Sequence, residues 1–196
     1  GHTQTFTLGK ASRIATYKDA SQNAYSFTYD SIGNVKTINK PVGSITNKYD
    51  KLNRLTKQTI SSGDTYDFGY DPNNNLTTAK NNAGTSSFYY DSLNRMNRYV
   101  NPFGNEVKFG FNPVGSINYI VYPGGDTVKY TYDKANRLWK VKDWKNNEFI
   151  YTYDSTGKIK KLLKPTGIHC DYSYDAGNRL ISKITYTASN KIVYGQ

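Results

Sequence analysis

The sequence predicts an all-β protein: an antiparallel meander of about eight to nine hairpins, each 20–21 residues long, forming a curved or spiralled sheet. Three periodic features predict it. The dipeptide Tyr-Asp returns at 20- or 21-residue steps, at Asp30, Asp50, Asp71, Asp91, Asp133, Asp154 and Asp175, with Phe111-Asn112 filling the one gap. Three residues after each stands Gly33, Asn53, Asn74, Asn94, Gly115, Asn136, Gly157 or Asn178. Five residues after stands an aliphatic: Val35, Leu55, Leu76, Met96, Ile117, Leu138, Ile159 or Leu180.

Each position has a physical reason. The segment before the Asp alternates, with an aromatic three residues earlier in seven of eight copies, as a half-buried strand does. An Asp at the first position of a type I turn bonds the backbone two residues on. Gly and Asn accept positive φ at least cost, so they fill the left-handed position of a three-residue loop with a bulge. The strand then returns with its aliphatic opposite the Tyr. Such a cross-strand pair contributes roughly 0.2–1 kcal/mol. Connections such as Lys40-Pro41-Val42-Gly43, Ser61-Ser62-Gly63-Asp64, Asn82-Ala83-Gly84 and Tyr122-Pro123-Gly124-Gly125 turn the chain at the other end. An expectation of 16–18 strands follows. A second apolar position eight residues after the Asp (Ile38, Tyr99, Ile120, Val141, Leu162) is out of parity with the first. Either a bulge shifts the pleat or both faces are partly covered.

The register covers residues 1–196 as one array: a degenerate repeat over 6–26, clear repeats over 27–184, and an outgoing, truncated strand over 185–196. Composition agrees. The 36% apolar fraction is below the usual share of about 45–50%. Disordered chains are poor in aromatics, whereas this one carries 15%, and about half of its aromatics stand in the two repeat positions. No run reaches the roughly 18 apolar residues of a membrane span. The single cysteine, Cys170, rules out an internal disulfide framework and a Cys-based zinc cluster.

The segments Tyr49-Asp50-Lys51-Leu52-Asn53-Arg54-Leu55, Tyr132-Asp133-Lys134-Ala135-Asn136-Arg137-Leu138 and Tyr174-Asp175-Ala176-Gly177-Asn178-Arg179-Leu180 resemble the YD repeat of RHS proteins, as found in bacterial RHS, wall-associated and toxin-complex proteins and in teneurins. The resemblance implies a partial RHS-type shell in a larger bacterial protein, extracellular or at the cell surface. Its partners would be the remainder of that polypeptide or a cargo domain. It also implies a possible carbohydrate ligand. The self-cleavage sequence that ends an RHS core is absent, and Asn112-Pro113-Val114-Gly115 reads as a degenerate repeat.

Candidate chemistry is sparse. Successive Asp residues lie two strands, about 9–10 Å, apart, too far to share one hard cation, so turn formation accounts for them. Basic residues follow the turn at Arg54, Arg95, Arg137, Lys158 and Arg179. They pair with the turn carboxylates or, given the net charge of +11, capture a polyanion. Trp139, Trp144, Tyr119 and Tyr122 fall outside the repeat register and are the aromatic candidates for a ligand. His169 and Cys170 are strand neighbours and point to opposite faces, so they form no dyad. No nucleophile elbow, phosphate loop, zinc motif or nucleic-acid recognition motif is present. The reading is therefore non-enzymatic, with no cofactor and no specific nucleic-acid readout. It builds a shell or scaffold, or alternatively binds cell-surface carbohydrate or another polyanion. The open sheet edges offer a route to self-association.

Overall fold

A computed structural model describes residues 3–195, so Gly1, His2 and Gln196 lie outside the described residues. The chain divides into two compact units, Gly1–Asn105 and Glu106–Gln196. Nineteen strands lie among the described residues, slightly more than the repeat count suggests. The first unit holds β1 (Thr5–Leu8), β2 (Ile14–Lys18), β3 (Ala24–Tyr29), β4 (Val35–Asn39), β5 (Ser44–Tyr49), β6 (Leu55–Ile60), β7 (Thr65–Tyr70), β8 (Leu76–Asn81), β9 (Gly84–Tyr90) and β10 (Met96–Val100). The second holds β11 (Glu106–Phe111), β12 (Ile117–Val121), β13 (Thr127–Tyr132), β14 (Leu138–Lys142), β15 (Glu148–Tyr153), β16 (Ile159–Leu163), β17 (His169–Tyr174), β18 (Leu180–Tyr186) and β19 (Ile192–Gly195). Within each unit every strand pairs antiparallel with the next. Among the described residues the one helical segment, a 3-10 turn at Lys10–Ser12, belongs to the turn of the degenerate first repeat.

The register settles the parity question in favour of the bulge. In β13–β14, Tyr132 faces Leu138, but Thr131 faces Lys140, which leaves Trp139 as the additional residue. Tyr130 then faces Val141. The apolar residue eight positions after the Asp thus returns to the face of the two aromatics. The same shift occurs between Tyr29 and Thr28, Tyr70 and Gly69, and Tyr174 and Ser173. One face carries Tyr, Phe and aliphatics. The other carries pairs such as Thr28–Thr37, Lys48–Lys57 and Thr131–Lys140.

The core is thin. Among the described residues only Val128 and Cys170 are buried hydrophobics, joined by the polar His169, and no large side chain is wholly enclosed. Cross-strand pairs on one sheet layer carry most of the apolar contact. Such a sheet needs further bonds between hairpins, and these are found at its turns.

Candidate functional site: the Tyr-Asp turns

The turns share one geometry. In Asp133–Arg137 the Asn136 N–H donates to the Asp133 carbonyl and the Asp133 N–H to the Arg137 carbonyl, both at 2.9 Å. The first bond closes a type I turn and the second spans the left-handed residue that follows. That residue has φ of 102° at Gly33, 62° at Asn53, 69° at Asn74, 59° at Asn94, 92° at Gly115, 56° at Asn136, 88° at Gly157 and 66° at Asn178.

The carboxylate holds the loop from inside. Asp133 Oδ1 accepts the N–H groups of Ala135 and Arg137, both at 2.9 Å, and Oδ2 accepts Arg137 Nε at 2.7 Å and Nη2 at 2.6 Å. Asp50 with Arg54, Asp91 with Arg95 and Asp175 with Arg179 repeat the arrangement, with Nε–Oδ2 distances of 2.8, 2.8 and 2.7 Å. At Asp30 and Asp71 the partner is an amide, Asn34 Nδ2 at 3.0 Å or Asn75 Nδ2 at 2.9 Å. Asp154 takes the Lys158 N–H at 3.0 Å and the Thr156 hydroxyl at 2.7 Å. The hydrogen bond from the Arg137 side chain, then its N–H, holds the Asp133 carboxyl below the ordinary 3.8. At Asp30 desolvation pushes upward, but the bonds from Asn34, Gly33 and Ile32 outweigh it. In the degenerate fifth repeat Asn112 Oδ1 still accepts the Ser116 N–H at 2.8 Å.

Consecutive repeats are joined by the tyrosine hydroxyls. Tyr29 donates to the Ile14 carbonyl at 2.8 Å, Tyr49 to Val35 at 3.0 Å, Tyr70 to Leu55 at 2.9 Å and Tyr90 to Leu76 at 2.9 Å. In the second unit Tyr132 donates to Ile117 at 2.7 Å, Tyr153 to Leu138 at 2.6 Å and Tyr174 to Ile159 at 3.1 Å. The acceptor is always the carbonyl of the aliphatic one repeat earlier. β14 pairs with β15 only over Lys140–Lys142, so at Leu138 the phenol of Tyr153 supplies the donor. The sequence marks these tyrosines as apolar-face residues, but only the structure shows why Phe does not replace them in seven of eight positions.

The basic residue after the turn also reaches forward. Arg54 Nη1 donates to the Asp71 carbonyl at 3.0 Å and to Asn74 Oδ1 at 2.9 Å, and its guanidinium lies 4.8 Å from the Tyr70 ring centre. Arg137 sits 4.4 Å from the Tyr153 ring and Lys158 4.8 Å from that of Tyr174. Arg13 of the degenerate repeat lies 5.5 Å from Tyr29 and covers Gly33. Uncharged residues in the same place reach the next turn too: Asn75 Nδ2 and Ser116 Oγ donate to Asn94 and Asn136 at 2.9 and 3.0 Å. A cation above an aromatic ring adds attraction to these hydrogen bonds. Arg54 and Arg137 therefore bond within the fold. Arg95 makes a two-pronged pair with Asp91. Arg179 keeps its Asp175 bond with 84% of its side chain exposed.

The remaining candidates stand apart. Tyr119 faces Gly110 across β11–β12, and its ring occupies the space a Cβ there would need. Tyr122 opens the turn Tyr122–Asp126. Trp139 is the bulged residue, with Lys140 Nζ 5.3 Å from its ring, and Trp144 projects half-exposed from the turn after Asp143. No ring contact joins any two of these four among the described residues. Cys170 is buried and its sulfur lies 3.4 Å from the Thr185 hydroxyl, while His169 stacks on Tyr186 at 4.9 Å. Among the described residues no three His, Cys, Asp or Glu side chains are grouped so as to hold a metal ion, and no helix is long and apolar enough to cross a membrane.

The opposite edge uses the same turn without its Tyr. Asp19 Oδ1 accepts the Ser21 and Asn23 N–H groups, both at 2.9 Å, and Asp143 Oδ1 accepts those of Lys145 and Asn147 at 2.9 and 2.8 Å. Gln22 and Asn146 have φ of 63°. An Asp followed three residues later by an amide and four later by Asn is legible at both places once the turn is known.

The RHS Repeat family model matches residues 49–86 and 70–106. No curated protein matches the sequence. Solved structures do. The chain superposes on TcdB2-TccC3-Cdc42 with a TM-score of 0.77 at 13% identity, over 98% of its own length and 13% of the other chain. TcdB2-TccC3 without its hypervariable C-terminal region gives 0.77 at 12% identity, and the Tc holotoxin pore of Photorhabdus luminescens gives 0.60 at 12%, with the same coverage. At this identity the likeness is one of fold, and the chain spans about an eighth of the length of the proteins it matches (13%). RHS repeats are matched over residues 49–106, and the same turn recurs from Asp30 to Arg179.

Proposed function

We propose that the chain is a structural segment of a larger RHS polypeptide, a stretch of sheet wall that encloses or scaffolds another domain outside the cell and performs no chemistry of its own. The observation that carries this reading is where the side chains of the repeat are spent. The Asp closes its own turn, the Tyr hydroxyl bonds the previous repeat, and Arg54 bonds the next. The fold likeness to chains about eight times longer supports a segment of a wall. Limited proteolysis of the full polypeptide tests it. Sites in a non-repeat domain should be protected while the repeats are intact and be cut once repeat contacts are broken, as by Asp133→Ala combined with Tyr153→Phe. Equal cleavage in both forms overturns enclosure.

A second reading, binding of an acidic cell-surface saccharide, rests on Tyr119. Its ring lies over Gly110 on the polar face, and Lys129 stands directly across from it. An aromatic beside an ammonium suits a sugar that carries a carboxylate. Retention on an acidic glycan that Tyr119→Ala abolishes supports this reading. Retention no greater than that of a charge-matched control removes it.

A further inference from the structure

We propose that the degenerate first turn, Gly9–Arg13, binds a carboxylate from outside the chain, and that Arg13 is the group that grips it. The site stands whether or not the wall encloses a domain.

The sequence matches the other turn arginines to acceptors. Arg54, Arg95, Arg137 and Arg179 each have a carboxylate four residues earlier, at 2.8, 2.8, 2.7 and 2.7 Å from Nε. Arg54 also reaches Asn74 Oδ1 in the next turn at 2.9 Å. Arg13 occupies the same place in its own loop. The Gly9 N–H donates to the Arg13 carbonyl at 2.7 Å, as the Asp133 N–H does to that of Arg137. Both counterparts of Arg13 are glycine: Gly9 stands where the turn Asp stands in later repeats, and Gly33 where the next turn has Asn. Among the described residues the Arg13 side chain therefore has no carboxylate and no hydrogen-bond acceptor. Its guanidinium lies 5.5 Å from the Tyr29 ring centre and against Gly33. A half-buried guanidinium without an acceptor is costly, and an anion relieves that cost.

A cavity of about 440 Å³ opens beside it, with walls that include Gly9, Lys10, Arg13, Ala15, Phe27 and Tyr29. A Cβ on Gly9 would stand 3.2 Å from the Cβ of Ala15, so a side chain at position 9 would enter this space. The cavity thus lies where an ordinary repeat keeps its carboxylate. Asp30 also borders it, but its Oδ1 accepts the N–H groups of Ile32, Gly33 and Asn34 and its Oδ2 accepts Asn34 Nδ2. Its charge is committed to its own turn, whereas Lys10 and Arg13 have no ion-pair partner among the described residues. Two cations select an anion. The planar fork of Arg13 selects a carboxylate, the group that meets the same fork at Asp50, Asp91, Asp133 and Asp175. Ala15 and Phe27 line room for the carbon chain that carries it. The occupant is a small organic acid or an acidic side chain of another polypeptide.

The test titrates the isotopically labelled 196-residue chain with sodium acetate and, separately, with the capped tripeptide acetyl-Gly-Asp-Gly-amide. Both titrations run at neutral pH against sodium chloride of equal ionic strength. Nuclear magnetic resonance reads the Arg13 Nε–H and the backbone N–H groups of Ala11 and Arg13. These signals should shift and saturate with each carboxylate and not with chloride. Arg13→Gln should weaken binding about tenfold or more, and far-ultraviolet circular dichroism checks its fold. Gly9→Asp should abolish binding and raise the urea midpoint, because the carboxylate then comes from the chain itself. Should Gly9→Asp fail to fold, with its Cβ close to Ala15, the Arg13→Gln titration decides alone. Tighter binding of the tripeptide than of acetate identifies a partner's acidic side chain as the source. Binding no tighter identifies a free acid, and either result upholds the site. No saturable shift with either carboxylate, an equal effect of chloride, or unchanged affinity in Arg13→Gln or in folded Gly9→Asp overturns the proposal. None of these outcomes touches enclosure, which the proteolysis experiment decides separately.

Discussion

The Tyr153 hydroxyl donates a 2.6 Å hydrogen bond to the Leu138 carbonyl, while Tyr132, one repeat earlier, packs opposite Leu138 on the same face. One aliphatic residue thus meets a ring within its own hairpin and a phenol from the next. The side chain is held by the first and the backbone by the second. Repeated along the chain, this arrangement lets a sheet with almost no enclosed core hold together through its turns.

Asp133→Ala should destabilise the chain more than Asp133→Asn. The alanine removes the acceptor of two backbone N–H groups and of Arg137, whereas the amide keeps an oxygen for the backbone and loses the ion pair. Asn112 already holds its turn in the amide form. Urea midpoints for the two variants check the order, and equal midpoints would mean that the backbone bonds contribute nothing.

Stability should fall as the pH drops below about 4. Asp19, Asp30, Asp50, Asp71, Asp91, Asp133, Asp143, Asp154 and Asp175 are all held below the ordinary 3.8 in the fold. A carboxyl whose folded value is depressed stabilises fully above its unfolded value, and that contribution is lost as pH falls through the folded one. Tyr90, Tyr130, Tyr153 and Tyr172 are pushed above 10.0, first by burial, so stability should fall again as pH rises past that value. Urea midpoints measured across pH should therefore form a plateau with losses at both ends. An unchanged midpoint at pH 3 contradicts the carboxylate account.

Asn136→Val should cost about 1–2 kcal/mol, because a β-branched residue at φ 56° places its Cβ against the backbone. Asn136→Gly should be nearly neutral in the turn and lose only the bond from Ser116 Oγ. Thermal melts of the two variants check the contrast.

Arg54→Lys should be less stable than wild type although it keeps the charge. Lysine cannot grip Asp50 with two nitrogens and also reach the Asp71 carbonyl and Asn74. An unchanged urea midpoint would show that charge alone matters at this position.

Much of this was legible because the repeat is written in residues with strong backbone preferences. Asp30, Asn53 and Leu55 announce turn, left-handed residue and returning strand in chain order. The apolar residue eight positions after the Asp was ambiguous, since parity is broken by a bulge at a residue such as Trp139 or Lys36 whose type carries no signal. The phenol bonds were hidden because an aromatic in a strand reads as packing, and the acceptor is a backbone carbonyl about fifteen residues away (Tyr153 to Leu138). Asp19 and Asp143 were missed because the opposite edge repeats the turn without the Tyr that marks it. The aromatics outside the register, Tyr119 and Trp144, are set by the sequence only as candidates, and no ring contact joins them among the described residues.

The measurement that tests the account most directly compares Tyr153→Phe with Tyr130→Phe by urea denaturation. Both delete one hydroxyl from the same face of neighbouring repeats, but only Tyr153 uses its hydroxyl on the Leu138 carbonyl. Tyr153→Phe should lose about 1–2 kcal/mol, since it leaves a backbone acceptor without its donor, and Tyr130→Phe should change little. A Tyr153→Phe variant as stable as wild type would contradict the claim that the repeats are joined through their tyrosine hydroxyls.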